Sequence, residues 1–233
     1  MALKYAGNTK RKPEETWVAV EGYLDRLQIA PDAALEAALA DSAKAGLPEI
    51  AVTPSQGKLL HLLAKMQGAR RILEIGTLGG YSTIWLGRAL PARGRLVTLE
   101  AEKKHAEVAR RNIARAGLSG KVEVRLGPAL RTLSQMTTER KPSFNLVFID
   151  ADKESTAEYF DYALRLSRAG SVIVVDNVIR DGEVANVDTD DPRAQGIRRF
   201  NEAVAREKRV SATTIQTVGS KGYDGFTLVL VLR

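Results

Sequence analysis

Arg71-Ile72-Leu73-Glu74-Ile75-Gly76-Thr77-Leu78-Gly79-Gly80-Tyr81-Ser82 begins as a buried strand and ends in the first turn of a helix. The apolar run Ile72, Leu73 and Ile75 has the length and side-chain types of a buried strand. Gly76, Gly79 and Gly80 then give the backbone freedom for a tight turn. Beyond them Tyr81, Ile84, Trp85, Leu86 and Leu90 recur at helical spacing. Strand, glycine turn and helix together mark a nucleotide-type site in an open α/β sheet, with the ligand at the carboxyl end of the strand.

The residues within the turn narrow the ligand. A dinucleotide fingerprint needs a second glycine two places after the first, so that backbone can approach a pyrophosphate. Here that place is Leu78. Glu74, near the end of the strand, would repel a pyrophosphate and attract a cation. A ligand that joins a positive sulfonium or ammonium to an adenosine, such as S-adenosylmethionine, suits this pair. Glu100 closes the next predicted strand, Arg95 to Glu100, where an acid can bond ribose hydroxyls. A glycine-rich turn without ligand is the alternative, and the two acids weigh against it.

Working outward, 233 residues with 44% hydrophobic content suffice for one α/β domain with a real core. Cysteine is absent, which excludes disulfides, thiolate metal sites and a cysteine nucleophile. His61 and His105 are the only histidines, too few for an imidazole-rich metal site. Met1 to Glu15 is polar and basic, without the apolar centre of a signal peptide, and no apolar run approaches a membrane span. A cytoplasmic protein is expected. The net charge of +7 favours acidic partners such as phosphate-bearing substrates, coenzyme A esters or RNA. Its basic residues (Lys10-Arg11-Lys12, Arg70-Arg71, Arg110-Arg111, Arg198-Arg199) are dispersed and not interleaved with aromatics, the pattern of solvated helix faces.

Residues 1–13 read as a loose arm. From Glu14, Trp17, Val20, Leu24 and Leu27 have the spacing of an amphipathic helix. Pro31-Asp32 opens an alanine-rich helix that Gly46 closes. Thr53-Pro54-Ser55-Gln56 starts a third, with Thr53 as cap and Gln56 reaching back in a capping box. Leu59, Leu60, Leu63 and Met66 are its expected buried face, and His61 beside them is expected to be a satisfied, partly buried histidine. These helices, residues 1–68, are read as a cap over the mouth of the sheet within one domain spanning 1–233. From residue 69, strands at 71–75, 95–100, 121–125, 144–149 and 171–175 alternate with helices near 80–90, 102–116, 128–137, 154–168 and 194–207, the pattern of a mostly parallel sheet. Val210–Val218 and Phe226–Leu232 are joined too briefly for anything but an antiparallel pair.

Two further strands run directly into carboxylates: Phe144-Asn145-Leu146-Val147-Phe148-Ile149-Asp150 and Val172-Ile173-Val174-Val175-Asp176-Asn177. In a parallel sheet their tips share one edge, so Asp150, Asp176 and Asn177 should meet there. Carboxylates held together repel unless something positive lies between them. Two carboxylates and an amide carbonyl are hard oxygen ligands, suited to Mg²⁺, Mn²⁺ or Ca²⁺. Each Asp alone could equally be a helix cap. Lys153 is either a plain salt-bridge partner or, beside a divalent cation, a proton acceptor. Gly127-Pro128-Ala129 is a small turn that leaves room for a flat base.

The motifs LEIGTLGGYS, the Glu100 strand end, GPAL, FIDADK, VDN, RRFN and DGFTLVL, in that order, resemble the cation-dependent O-methyltransferases that include catechol and caffeoyl-coenzyme A O-methyltransferases, over about residues 50–233. The resemblance implies a Rossmann-like class I methyltransferase sheet of seven strands, the last antiparallel, and pairing as a homodimer. It implies that Val52, Glu74, Gly76, Thr77, Ser82, Glu100, Ala129, Asp150 and Asp152 lie on S-adenosylmethionine. It further implies that Asp150, Asp176 and Asn177 hold the metal, with Lys153 as catalytic base. The implied acceptors are small phenolic vicinal diphenols, with coenzyme A esters among them. The match thins over Val178–Asp191, where Ile179-Arg180-Asp181 replaces the aromatic of plant coenzyme A ester enzymes, which points to a broader, bacterial type. A tRNA hydroxyuridine methyltransferase on the same scaffold and a non-catalytic binding protein are the alternatives.

Overall fold

In the computed structural model, which describes residues 12–139 and 142–233, three helices precede the sheet: α1 (Pro13–Gln28), α2 (Ala33–Lys44) and α3 (Pro54–Met66). The expected arm falls, apart from Lys12 and Pro13, outside the described residues. Asp32 caps α2 by accepting from the N–H groups of Ala34 and Leu35, each at 3.0 Å. Thr53 caps α3 by accepting from Gln56 N–H at 3.3 Å, and Pro54 takes the first helical turn, where its missing N–H costs nothing.

Strands and helices then alternate: β1 (Arg71–Ile75), α4 (Tyr81–Ala89), β2 (Arg95–Glu100), α5 (Lys103–Arg115), β3 (Val122–Leu126), α6 (Ala129–Thr138), β4 (Leu146–Ile149), α7 (Thr156–Arg165) and β5 (Val172–Asp176). A short 3-10 turn at Arg180–Ala185 leads to α8 (Pro192–Arg206), and the chain ends in the hairpin β6 (Val210–Gly219) and β7 (Gly222–Val231). The strands form one sheet in the order β3-β2-β1-β4-β5-β7-β6, parallel except for β7, which runs antiparallel to both neighbours. The strand order reverses direction between β1 and β4, which makes the carboxyl edge at that point the natural ligand crevice.

Side chains alternate across the buried strands, and each phase has its own helical layer. Leu73, Ile75, Val97, Leu99, Val147, Ile149, Ile173 and Val175 pack with α6, α7 and α8 through Leu133, Phe160 and Phe200. Ile72, Leu96, Leu146, Phe148 and Val174 pack on the other face with α2–α5 through Leu35, Leu60, Ile84 and Ile113.

The N-terminal helices depart from expectation in two respects. In α3 the buried positions are Gly57, Leu60 and Ala64, and Met66 is 75% exposed, because α4 lies close enough to press the Trp85 ring against Gly57 and so rotates the packed face. In α1 no residue is buried, although its apolar spacing is regular. Of the N-terminal segment, α2 and α3 pack on α4 and α5, and the connection Ile50–Val52 reaches the mouth of the crevice. His61 is partly buried, with Nδ1 3.1 Å from the Trp85 carbonyl oxygen, as a satisfied histidine should be. Among the described residues no helix is long and apolar enough to cross a membrane.

Candidate active site

A cavity of about 850 Å³ opens at the carboxyl ends of β1, β2 and β4. Of the residues anticipated on the donor, Val52, Gly76, Thr77, Ser82, Glu100, Ala129, Asp150 and Asp152 all line it. The crevice depends on how closely the tips of β1 and β4 approach. Asp150 N–H donates to the Ile75 carbonyl at 2.8 Å, and Gly76 N–H to the Leu99 carbonyl at 3.1 Å. A Cβ on Gly76 would stand 1.9 Å from the Asp150 carbonyl oxygen, and its φ of +99° belongs to glycine's range, so no other residue fits here unstrained.

Glu100 organises the glycine turn. One carboxylate oxygen accepts from Thr77 N–H at 3.3 Å and Leu78 N–H at 2.8 Å, and the other accepts from Glu102 N–H at 2.9 Å. The Leu78 N–H is therefore committed inside the fold, which gives a second reason why this turn does not cradle a pyrophosphate. His105, on α5, brings Nδ1 within 3.5 Å of Glu100 and also lines the cavity.

Glu74 is placed differently from expectation. It is fully buried and absent from the cavity wall, because strand alternation puts it in phase with Ile72, on the face that α4 covers. Ser82 Oγ donates to its carboxylate at 2.7 Å, and Thr83 Oγ1 donates to the other oxygen. Glu74 thus meets the cavity only through Ser82. Burial pushes its pKa up to about 7, against the pull of the hydroxyl donors. Between the unfolded value of 4.5 and about 7 the folded chain keeps a proton that the unfolded chain releases, so stability falls as pH rises through that window. The loss is about 3 kcal/mol in full. Glu74→Gln should remove it: urea unfolding at pH 5 and pH 8 should show the variant gaining on the parent at the higher pH, and an unchanged difference would refute this account.

At the far side of the crevice, Ile149 and Val175 are paired in register, so Asp150 and Asp176 follow as adjacent strand tips. Lys153 Nζ donates to Asp150 Oδ1 at 2.9 Å. Asp176 is only 5% exposed, and its pKa is pushed up to about 7 by burial first and the Asp150 charge second. Asn177 N–H donates to Asp176 Oδ1 at 2.9 Å, and Asn177 itself sits at φ +58°, a left-handed conformation that asparagine tolerates. Among the described residues no cluster of three or more His, Cys, Asp or Glu side chains is arranged for a metal, so a cation here would rest on two carboxylates and an amide. This oxygen set fits a hard divalent ion by donor type, beside the positive charge that Lys153 and Lys221 already bring to the two carboxylates. Asp176 faces a second, smaller cavity, and Asn177 lines both.

Several supporting residues carry no recognisable signal in the sequence. The Gln56 amide, expected in a capping box, stands beside Asp176 and draws its pKa down. Asp224 of β7 accepts from the N–H groups of Ile179 at 3.0 Å and Arg180 at 3.1 Å, which pins the loop behind Asn177 while Arg180 and Asp181 take positive φ. The motif DGFTLVL contains this aspartate without disclosing its partner. Asp152 also serves α7, accepting from Ser155 N–H at 3.2 Å and from the Tyr159 hydroxyl, whose pKa burial and this carboxylate raise. Arg180 and Arg193 complete the outer wall of the large cavity.

A family model described as O-methyltransferase matches residues 31–232. A catechol O-methyltransferase of Niastella koreensis is 51% identical, with 91% of this chain and 96% of the relative covered. One of Mycobacterium tuberculosis is 53% identical over 91% of this chain and 94% of its own length. The crystal structure of an O-methyltransferase from Bacillus cereus in complex with SAH superposes with a TM-score of 0.92 at 57% identity, covering 93% of this chain and 99% of that one.

Proposed function

The chain belongs to the O-methyltransferase family, and from that premise we propose that it methylates one hydroxyl of a vicinal diphenol with the help of a hard divalent cation, Mg²⁺ foremost, held by Asp150, Asp176 and Asn177. S-adenosylmethionine is the methyl donor of this enzyme. The catechol O-methyltransferase names of two relatives support the acceptor class. The observation that carries the cation is Asp176, a buried carboxylate with a raised pKa at the strand tip beside Asp150, on the wall of the smaller cavity that shares Asn177 with the donor cavity.

Each residue then has a task. Glu100 receives the ribose hydroxyls on lone pairs left over from its backbone donors, while Ala129 and the side-chain-poor turn before it leave space for the adenine. Gly76, Thr77, Ser82 and Val52 enclose the methionine part, with Ser82 held in place by Glu74. A phenol, with pKa about 10, is a poor nucleophile at neutral pH. A bound cation supplies Lewis-acid stabilisation of the negative charge that develops on the acceptor oxygen. Lys153 Nζ, held by Asp150 at the cavity wall, would accept the phenolic proton as the neutral amine, having first released its own proton to solvent, a loss that a divalent cation on Asp150 would favour by charge repulsion. In-line transfer from sulfur to oxygen is then a matter of alignment, which is worth several kcal/mol.

Lys153→Ala should lower kcat about a hundredfold with little change in the KM of either substrate; unaltered turnover would remove Lys153 from the reaction. The acceptor assignment is tested by offering catechols, coenzyme A esters and tRNA with a labelled methyl donor, with and without EDTA. Methylation of catechols, lost on chelation, is the expected result. Salt-sensitive methylation of tRNA alone would reassign the acceptor.

A further inference from the structure

The ribose end of the donor site is short of one acceptor on Glu100 alone. A carboxylate offers about four acceptor positions. On Glu100 the N–H groups of Thr77 and Leu78 occupy Oε2 and that of Glu102 occupies part of Oε1, so about one position stays open, on Oε1. The ribose of S-adenosylmethionine brings two hydroxyls, and a hydroxyl taken from water into a site without a partner costs affinity. A second acceptor beside Glu100 would remove that cost. His105, in the first turn of α5, stands there: its Nδ1 is 3.5 Å from the oxygen that keeps the open position.

The ring lines the donor cavity and is largely shielded, with 22% of its side chain exposed. Among the described residues no hydrogen bond of the fold engages either of its nitrogens, whereas Nδ1 of His61 is spent on the Trp85 carbonyl. At 3.5 Å the imidazole and the carboxylate are too far apart to satisfy one another, which leaves both for a guest. Two acceptors at that spacing suit the adjacent oxygens of a cis diol. Glu102 also lines the cavity, but it is exposed, and water competes for its oxygens. We propose that His105, as a neutral imidazole with its proton on Nε2, accepts one ribose hydroxyl of the methyl donor through Nδ1 while Glu100 accepts the other. The proposal rests on the reading of Glu100 as the ribose acid and divides that task between two residues.

Calorimetric titration with S-adenosylhomocysteine and its 2′-deoxy and 3′-deoxy analogues tests it on the parent and on His105→Phe, His105→Asn and Glu102→Ala. In the parent each analogue should bind about tenfold more weakly than S-adenosylhomocysteine, the loss of one hydrogen bond. His105→Phe keeps a ring and removes the acceptor, so S-adenosylhomocysteine should weaken about tenfold. One analogue should then bind this variant as tightly as S-adenosylhomocysteine does, because the hydroxyl it lacks no longer has a partner. His105→Asn, whose amide oxygen can stand where Nδ1 stood, should restore the difference, and Glu102→Ala should match the parent. A merely structural part for His105 would weaken all three ligands alike. Parental ratios for both analogues in His105→Phe would therefore overturn the proposal and leave Glu100 as the ribose acid. A difference abolished by Glu102→Ala would also overturn it, by moving the contact to Glu102. If neither analogue is weakened in the parent, the reading of Glu100 itself fails and the proposal falls with it.

Discussion

Asp176→Ala should reduce turnover of a catechol about a thousandfold while the affinity for S-adenosylhomocysteine stays within about twofold. The magnitude follows from the task assigned to the cation: lowering a phenol's pKa from about 10 to near neutrality requires about 4 kcal/mol, which corresponds to about a thousandfold in rate. The selectivity follows from geometry, because Asp176 lines the smaller cavity and is absent from the wall of the donor cavity. EDTA should impose the same loss on the parent, and added Mg²⁺ should restore the parent and leave the variant inactive. Steady-state rates against Mg²⁺ concentration, with calorimetry of the donor product, check both halves. Full activity of the parent after exhaustive chelation would dispose of the cation and of Asp176's part in holding it.

Gly76→Ala should damage the same enzyme by another route. The new Cβ would meet the Asp150 carbonyl oxygen at 1.9 Å, and the backbone would be held at φ +99°. Left-handed strain and overpacking each cost about 1–3 kcal/mol, so a loss of about 3 kcal/mol or more is expected. For a chain of this size that corresponds to about 10 °C in Tm. Any relief must come from parting the tips of β1 and β4, which carry the donor turn and Asp150. Donor binding should therefore weaken together with stability, in contrast to Asp176→Ala, which spares donor binding. A melting curve and a donor titration decide the matter; an alanine variant with parental Tm and parental affinity would show that the two tips can separate freely.

The βα alternation was legible because each local signal agreed with the next. Apolar runs ended in glycine turns, and the polar residues at the strand ends all fell at one edge. The parallel register of β1, β2, β4 and β5 brings Glu100, Asp150 and Asn177 to the wall of the large cavity and Asp176 to the smaller one that Asn177 also lines. Glu74 shows where such reasoning stops. In a strand covered on both faces the apolar pattern is nearly continuous, so the sequence cannot say which phase looks into the ligand crevice and which looks under α4. Gln56 shows the same limit: a capping box is a local pattern, and nothing local reports that Asp176 approaches from another strand.

From the chain alone came the alternating architecture, the single reversed strand and the set of oxygen-bearing residues at the carboxyl edge, since periodicity, turn chemistry and strand direction are short-range properties. Only the tertiary structure decided that Glu74 lies under α4 and reaches the cavity wall only by its hydrogen bond from Ser82, that Asp224 pins the loop behind Asn177, and that the stripe on α1 borders a hollow. Periodicity records that a face is apolar, but what lies opposite that face is set by segments distant along the chain, through packing that no local pattern encodes.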